Sequence, residues 1–254
     1  MSAPCTGLAG YYCNGGDFNP SESVAQGLKM CDSRYPYSNE GTQMKDMCYV
    51  SIPFDIGTNA NFNGQSADDS GGHLSRIMRY GIDEDTVFQL LSGGDHVLRD
   101  KFLPGGDSVP TRLGYKFTGW KLTHPTGDPT VVDANTVIEP EWATINGIRV
   151  LSTRLVAEWA CDPDANTVAG TDANEGKCVC KTGYYGNVEN NVACQQCPCG
   201  KTTSGPGKTL SDDCQYLFKY KDGAGNDKTW QWPGINMLAP VDGVTNVHDM
   251  PSCQ

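Results

Sequence analysis

At 254 residues the chain is long enough for one large domain or several small ones, and its 30 glycines and 15 prolines favour turns and short strands over long helices. The net charge of −11, from 19 basic against 30 acidic residues with no dense basic run, speaks against binding along a nucleic-acid backbone, which needs concentrated Lys and Arg. No stretch approaches the roughly 18–20 apolar residues that a membrane-crossing helix requires.

Twelve cysteines fall at the two ends, four in residues 1–48 and eight in 161–254, leaving the 112 residues between without one. An even count clustered in Gly-rich sequence predicts disulfides in an oxidising compartment rather than a cytosolic zinc protein. Residues 1–5 have neither the basic head nor the apolar stretch of a secretory signal. The expectation is a fragment of a longer secreted protein, or a chain that has lost an upstream segment.

Residues 1–48 read as a cysteine-rich module that recurs near the other end. Cys31 and Cys48 enclose sixteen residues, and so do Cys197 and Cys214. Alignment at that spacing matches Ser38 with Ser204, Gly41 with Gly207 and Asp46 with Asp212, and a Gly-Tyr-Tyr precedes each copy, at 10–12 and 183–185. Small residues and a central glycine suit a loop that reverses direction under a staple. Cys31–Cys48 and Cys197–Cys214 are therefore the first disulfide candidates, with Cys161, Cys178, Cys180 and Cys194 as further members of the framework. Twelve cysteines allow too many pairings for sequence to choose among the rest.

Residues 49–83 read as a linker or a small helical or loop segment. The stretch 59–72 is rich in Gly and Asn, and in 73–81 Leu74, Ile77 and Met78 line one face of a short helix ended by Gly81.

Residues 84–160 carry strand patterning. EDTVFQLL (84–91) and HVLRDKFL (96–103) form a hairpin across the turn at 92–95, and Pro104-Gly105-Gly106-Asp107 breaks the second strand. In 114–120 Tyr115 and Phe117 share one side at period two, and Trp120 closes the end of that core. Leu155, Ala157 and Trp159 alternate in the same way, so a small sheet covered by another layer is expected. This framework, a strand ending in Gly-Gly, then PTRLGYKFTGW (110–120), then LVAEW (155–159), resembles the Listeria–Bacteroides repeat, the B-type repeat of internalin-like bacterial surface proteins. The resemblance implies a β-grasp-like domain on a bacterial cell surface, acting as an adhesion or spacer module without catalysis. It also implies structural roles for Gly93, Gly94, Pro110, Gly114, Tyr115, Phe117, Gly119, Trp120, Ala157 and Trp159. The connection from Trp120 to Trp159 is longer than that family's, and 131–150 reads as an inserted hairpin or short helix.

Residues 161–214 read as a second cysteine-rich module. CVCKTGYYG (178–186) resembles the end of an epidermal-growth-factor-like module, and CQQCPCGKTTSGPGKTLSDDC (194–214) resembles ephrin-receptor-like cysteine-rich repeats. Both resemblances imply stiff spacers or binding surfaces. Residues 215–254 read as a small strand-rich, truncated unit in which Tyr216, Phe218 and Tyr220 share one side and Trp230 and Trp232 another. Trp142, Trp230 and Trp232 are the candidates for a flat face offered to a sugar or a protein.

The sequence offers little chemistry. GKTTSGPGKT (200–209) imitates a phosphate loop but carries Pro206 at the lysine position. Cys194, Cys197, Cys199 and Cys214 have a spacing zinc accepts, yet the surplus cysteines fit disulfides better. Asp162-x-Asp164-x-Asn166 resembles half of a calcium loop, with Thr167 in place of the turn glycine. None of the four histidines lies in a metal-binding or nucleophile-activating motif.

The expectation is therefore a multidomain, mainly β chain with a central small β-grasp-like domain between disulfide-rich modules. Its expected role is a noncatalytic extracellular or cell-surface spacer or adhesion segment, with no cofactor, a protein or glycan ligand on a cell surface, no nucleic acid and no membrane insertion. The alternatives are a glycan-binding accessory module of a secreted enzyme and a zinc-stabilised cysteine-rich interaction protein.

Overall fold

Runs of apolar residues at period two govern this chain, because each builds a strand that buries one face. The computed structural model describes residues 9–13, 28–62, 65–66, 73–81, 87–123, 129–198, 201–221 and 224–232. The architecture is mainly β and disulfide-stabilised, with no α-helix among the described residues. The chain divides into two units, Met1–Pro110 with Phe117–Glu158, and Thr111–Lys116 with Trp159–Gln254.

In the first unit β1 (Tyr11–Cys13) pairs antiparallel with β2 (Leu28–Met30). Strand β3 (Tyr49–Asp55) buries Val50, Ile52 and Phe54 completely on one face. The short β4 (Ala60–Phe62) and β5 (Gln65–Ser66) pair with each other, and β6 (His73–Arg79) lies antiparallel along the whole of β3, from Tyr49↔Arg79 to Asp55↔His73. Strands β7 (Phe88–Leu90) and β8 (His96–Leu98) form the expected hairpin around Gly93 and Gly94, but shorter than the sequence runs imply, since Asp100–Phe102 turns into a 3-10 helix. After β9 (Thr111–Arg112), which belongs to the second unit, come β10 (Tyr115–Thr123), β11 (Thr130–Val131) on its edge, the hairpin β12 (Trp142–Ile145) and β13 (Ile148–Leu151), and β14 (Arg154–Cys161). Strand β14 lies between β10 and β3 and runs parallel to β3 at Leu155↔Phe54.

The centre of this unit is aromatic. Trp120 is fully buried, with ring centroids 5.1 Å from Phe54, 5.4 Å from Phe62 and 5.2 Å from Phe117, mostly edge to face. Such pairs add about 0.5–1.5 kcal/mol each beyond burial of area. The indole N–H donates to the Phe102 carbonyl at 2.8 Å, so the one polar atom of the cluster is satisfied. Trp120 is thus the hub of the core and not its end cap. The alternation of β10 changes phase at Gly119, where φ is +153°. Tyr115 and Phe117 precede that slip, and Trp120 and Leu122 are the buried residues after it.

Two sequence expectations change here. The described residues of 49–83 carry four strands, and 73–79 is a strand instead of a short helix. A helix would carry Leu74, Ile77 and Met78 on one face, whereas in β6 Met78 is fully buried and Ile77 is 36% exposed. Leu74, Arg76 and Met78 share the strand face, and the Arg76 guanidinium covers the Phe62 ring at 4.9 Å. Of the hairpin or short helix expected at 131–150, the structure has a hairpin, β12–β13, which ends at Leu151. Its turn is Asn146-Gly147, with φ of 53° and 79°, the two-residue type I′ signal that sequence offers for tight hairpins. The buried Thr153 hydroxyl fixes the hairpin base, accepting from the Glu141 N–H and donating to the Glu139 carbonyl, both at 2.7 Å.

The second unit is a chain of small antiparallel pairs. Strand β9 turns into β10 at Arg112↔Tyr115, β15 (Thr167–Ala169) pairs with β16 (Cys178–Cys180), β17 (Tyr184–Asn187) with β18 (Val192–Gln196), and β19 (Tyr216–Lys221) with β20 (Asp227–Trp232). Isolated two-stranded pairs are marginal in water, so each depends on covalent or side-chain support. Replacing Trp120 with Ala is expected to destabilise the first unit by about 3–5 kcal/mol, as for a buried tryptophan elsewhere. Denaturant unfolding followed by circular dichroism measures it, and a loss under 1 kcal/mol would contradict the hub assignment.

Candidate functional site

Four disulfides between described residues organise the modules. Cys31 is bonded to Cys48 and Cys197 to Cys214, the pairs that equal spacing singles out, while Cys161 is bonded to Cys178 and Cys180 to Cys194. The sequence separation is 17 in three of the four, so Cys161–Cys178 repeats the spacing a third time. That third spacing is as legible in the sequence as the other two. Each loop of this length is worth about 3 kcal/mol in the chain-entropy account. Cys13 is also disulfide-bonded, and among the described residues no cysteine is free.

The first and last of these loops share more than a spacing. In one copy the Cys31 N–H donates to the Gly10 carbonyl at 3.0 Å, and in the other the Cys197 N–H donates to the Gly183 carbonyl at 2.9 Å. Gly10 and Gly183 have φ of 86° and 87°, and Gly41 and Gly207 have φ of 78° and 79°. Cys13 N–H reaches the Thr42 carbonyl at 2.9 Å just as Gly186 N–H reaches that of Lys208 at 3.0 Å. A 3-10 turn carrying Asp46 or Asp212 at its centre precedes the second cysteine of each. The buried hydroxyl that accepts the glycine N–H, at 3.0 Å in both copies, is Ser38 in the first and Thr203 in the second. Ser38 is therefore equivalent to Thr203, one residue short of the Ser204 that alignment by spacing selects.

The residues assigned structural roles by resemblance are dispersed. Gly93 and Gly94 form a hairpin turn, Pro110 is buried, and Phe117, Trp120 and Ala157 belong to the first unit. Gly114, Tyr115 and Trp159 belong to the second, where Tyr115 and Trp159 meet edge to face at 6.4 Å. Trp159 is only half-buried, so it does not share a fully buried core with Leu155 and Ala157. A Cβ on Gly114 would lie 2.6 Å from Val188 Cγ1, which explains the glycine. The Tyr115 hydroxyl donates to Glu189 Oε1 and accepts the Cys178 N–H at 3.0 Å, while Arg112 pairs with Glu189 Oε2 at 3.1 Å and covers the Tyr115 ring at 3.9 Å. Burial first, and the Glu189 hydrogen bond second, push the Tyr115 hydroxyl above its ordinary range. These three side chains hold one another as a structural clasp, in which the buried Arg112 Nε has no hydrogen-bond partner.

Of the aromatic candidates, the Trp230 and Trp232 side chains lie outside the described residues. Trp142 is half-buried at the start of β12, with Arg149 from the facing strand over its ring at 4.5 Å. Its indole N–H donates to the Arg34 carbonyl at 3.3 Å, and Arg149 Nη2 donates to the Ser33 carbonyl at 2.6 Å. Tyr37, 47% exposed, lies 6.4 Å away with its ring tilted by 55°. Sequence singled out Trp142 but gave no sign of Ser33, Arg34 and Tyr37, which reach this hairpin from more than 100 residues away.

The calcium-like run forms a turn. Asp162 Oδ1 accepts the Asp164 N–H at 3.0 Å, and the Asp162 carbonyl accepts from Ala165 and Thr167. Cys194, Cys197 and Cys214 have spent their sulfurs in disulfides and offer no thiolate to zinc, and Cys199 lies outside the described residues. Among the described residues no group of three or more His, Cys, Asp or Glu side chains forms a metal-holding cluster. No described helix is long and apolar enough to cross a membrane. No family model, curated protein or solved structure matches the chain.

One buried polar group lay outside sequence reach. Tyr35 is 4% exposed, its hydroxyl 3.3 Å from His96 Nδ1 and 3.9 Å from Met78 Sδ, and burial pushes its pKa from 10.0 to about 12. Between these values the unfolded chain has lost the proton and the folded chain keeps it. This contribution to stability is thus complete below pH 10 and is lost as pH rises through about 12, a change of about 2–3 kcal/mol. Unfolding titrations at fixed denaturant should show that slope, and Tyr35→Phe should remove most of it. The hydroxyl equivalence makes a second prediction: Ser38→Ala and Thr203→Ala each cost about 1–2 kcal/mol by stranding a glycine N–H, whereas Ser204→Ala is close to neutral. Equal effects at Thr203 and Ser204 in thermal melts would refute the register.

Proposed function

We propose that this chain is a noncatalytic extracellular or cell-surface segment that acts as a spacer and adhesion module. The repeated stapled loop is the observation that carries the reading. Two loops closed by the same backbone hydrogen bonds, buried hydroxyl, 3-10 turn and disulfide make a module suited to repetition, and such disulfides persist in oxidising compartments. The side chains that hold the modules are engaged with one another, as Tyr115, Glu189 and Arg112 are. Residues 84–160 enter this reading as a β-grasp-like bacterial surface repeat, and 178–214 as a module of the growth-factor-like and ephrin-receptor-like kind. Both assignments rest on their sequence resemblances. The glycan-binding alternative is favoured by one observation, the exposed Tyr37 beside Trp142.

Two measurements on intact cells that produce the chain test the proposal together. A membrane-impermeant biotin reagent should label it without permeabilisation, and non-reducing peptide mapping should recover Cys31–Cys48 and Cys197–Cys214. Labelling only after lysis, or recovery of those four cysteines as free thiols, would sink the reading.

A further inference from the structure

The two copies of the stapled module act as an internal control on which side chains the fold demands. In each, an antiparallel bridge closes the disulfide loop, between Tyr37 and Tyr49 in the first copy and between Thr202 and Gln215 in the second. The reciprocal backbone bonds are 3.1 and 2.7 Å in the first and 2.9 and 2.9 Å in the second. Aromatic rings are therefore dispensable for the bridge. Yet the first copy places the Tyr37 and Tyr49 rings 6.0 Å apart, sets Trp142 6.4 Å from Tyr37, and leaves Tyr37 47% exposed. Arg149 is exposed beside this face and held by its stack on Trp142 and its bond to Ser33, and the Arg34 carbonyl accepts the Trp142 indole N–H. Asp32 Oδ1, 3.6 Å from Arg34 Nε, offsets part of the Arg34 charge, so Arg149 is the cationic rim.

We propose that the Tyr37–Trp142 face is a binding site for an acidic saccharide, a sugar ring carrying a carboxylate. This rests on the surface-module reading above and names its ligand class. The apolar C–H face of a pyranose covers an exposed aromatic ring, and a guanidinium presents the planar fork that a carboxylate accepts. A guanidinium beside an aromatic face, that of Arg149, stands out in a chain of net charge −11, and one carboxylate matches it where a densely charged polyanion would be repelled by the rest. The open pair of tilted rings suits a single sugar better than a peptide anchor, which needs an enclosed, desolvated pocket.

The test titrates the full chain, disulfides intact, with sialyllactose, a hyaluronan tetrasaccharide and lactose by calorimetry. At least one acidic saccharide should bind saturably and at least tenfold more tightly than lactose, and more weakly at high salt. Tyr37→Thr, which installs the residue the second copy carries at this bridge, and Arg149→Gln should each weaken binding at least tenfold without moving the unfolding midpoint. Arg149→Lys should recover only part. Absence of saturable binding, equal affinity for lactose, indifference to both substitutions, or capture of a poly-glutamate peptide in place of either sugar would overturn the proposal. A chain that labels at the cell surface with its disulfides formed, yet fails these titrations, loses the ligand assignment alone.

Discussion

A disulfide that closes a loop of seventeen residues is the constraint on which the small sheets depend. A two-stranded pair buries too little apolar area to offset the entropy of ordering its residues. Cross-linking its ends removes about 3 kcal/mol of that cost from the unfolded side. In the second unit three disulfides follow one another, two with that separation and Cys180–Cys194 with 14, and they support strand pairs with almost no core of their own. The first unit needs only local stapling, because the Trp120 cluster supplies a core. The uneven distribution of cysteine along the chain is thus a map of where hydrophobic burial suffices and where it does not.

Sequence disclosed what depends on short-range pattern. The Cys31–Cys48 and Cys197–Cys214 pairs, the Gly93-Gly94 hairpin and the extended segments around Tyr115 and Leu155 follow from spacing and period. Residues 73–79 misled because Leu74, Ile77 and Met78 satisfy a helical spacing as readily as Leu74, Arg76 and Met78 satisfy a strand. The long arm of Arg76, lying over Phe62, does the covering that an apolar residue does elsewhere. Asn146-Gly147 is a legible hairpin signal. The Tyr35–His96 contact was beyond reach, since its partners lie 61 residues apart and neither carries a local motif. The aromatic face shares that obscurity: Trp142 can be suspected alone, but Tyr37, Arg34 and Arg149 join it only through the fold.

The polar chemistry of the chain is largely structural. Tyr115, Glu189 and Arg112 hold one another, Thr153 seals the base of a hairpin, and Ser38 and Thr203 each complete a glycine turn. The Tyr37 face differs because its rings serve no requirement that the other copy of the module shares.

The displacement of Ser38 from Ser204 to Thr203 has a wider meaning. Between the first and the second cysteine, the second copy has one residue fewer before the buried hydroxyl and one more after it, while the separation of the cysteines stays at 17. The loop behaves like a belt of fixed circumference whose buckle may slide. Substitution of whole surface segments is then permitted wherever the length balances, so one scaffold can carry unlike faces in successive copies without relearning how to fold.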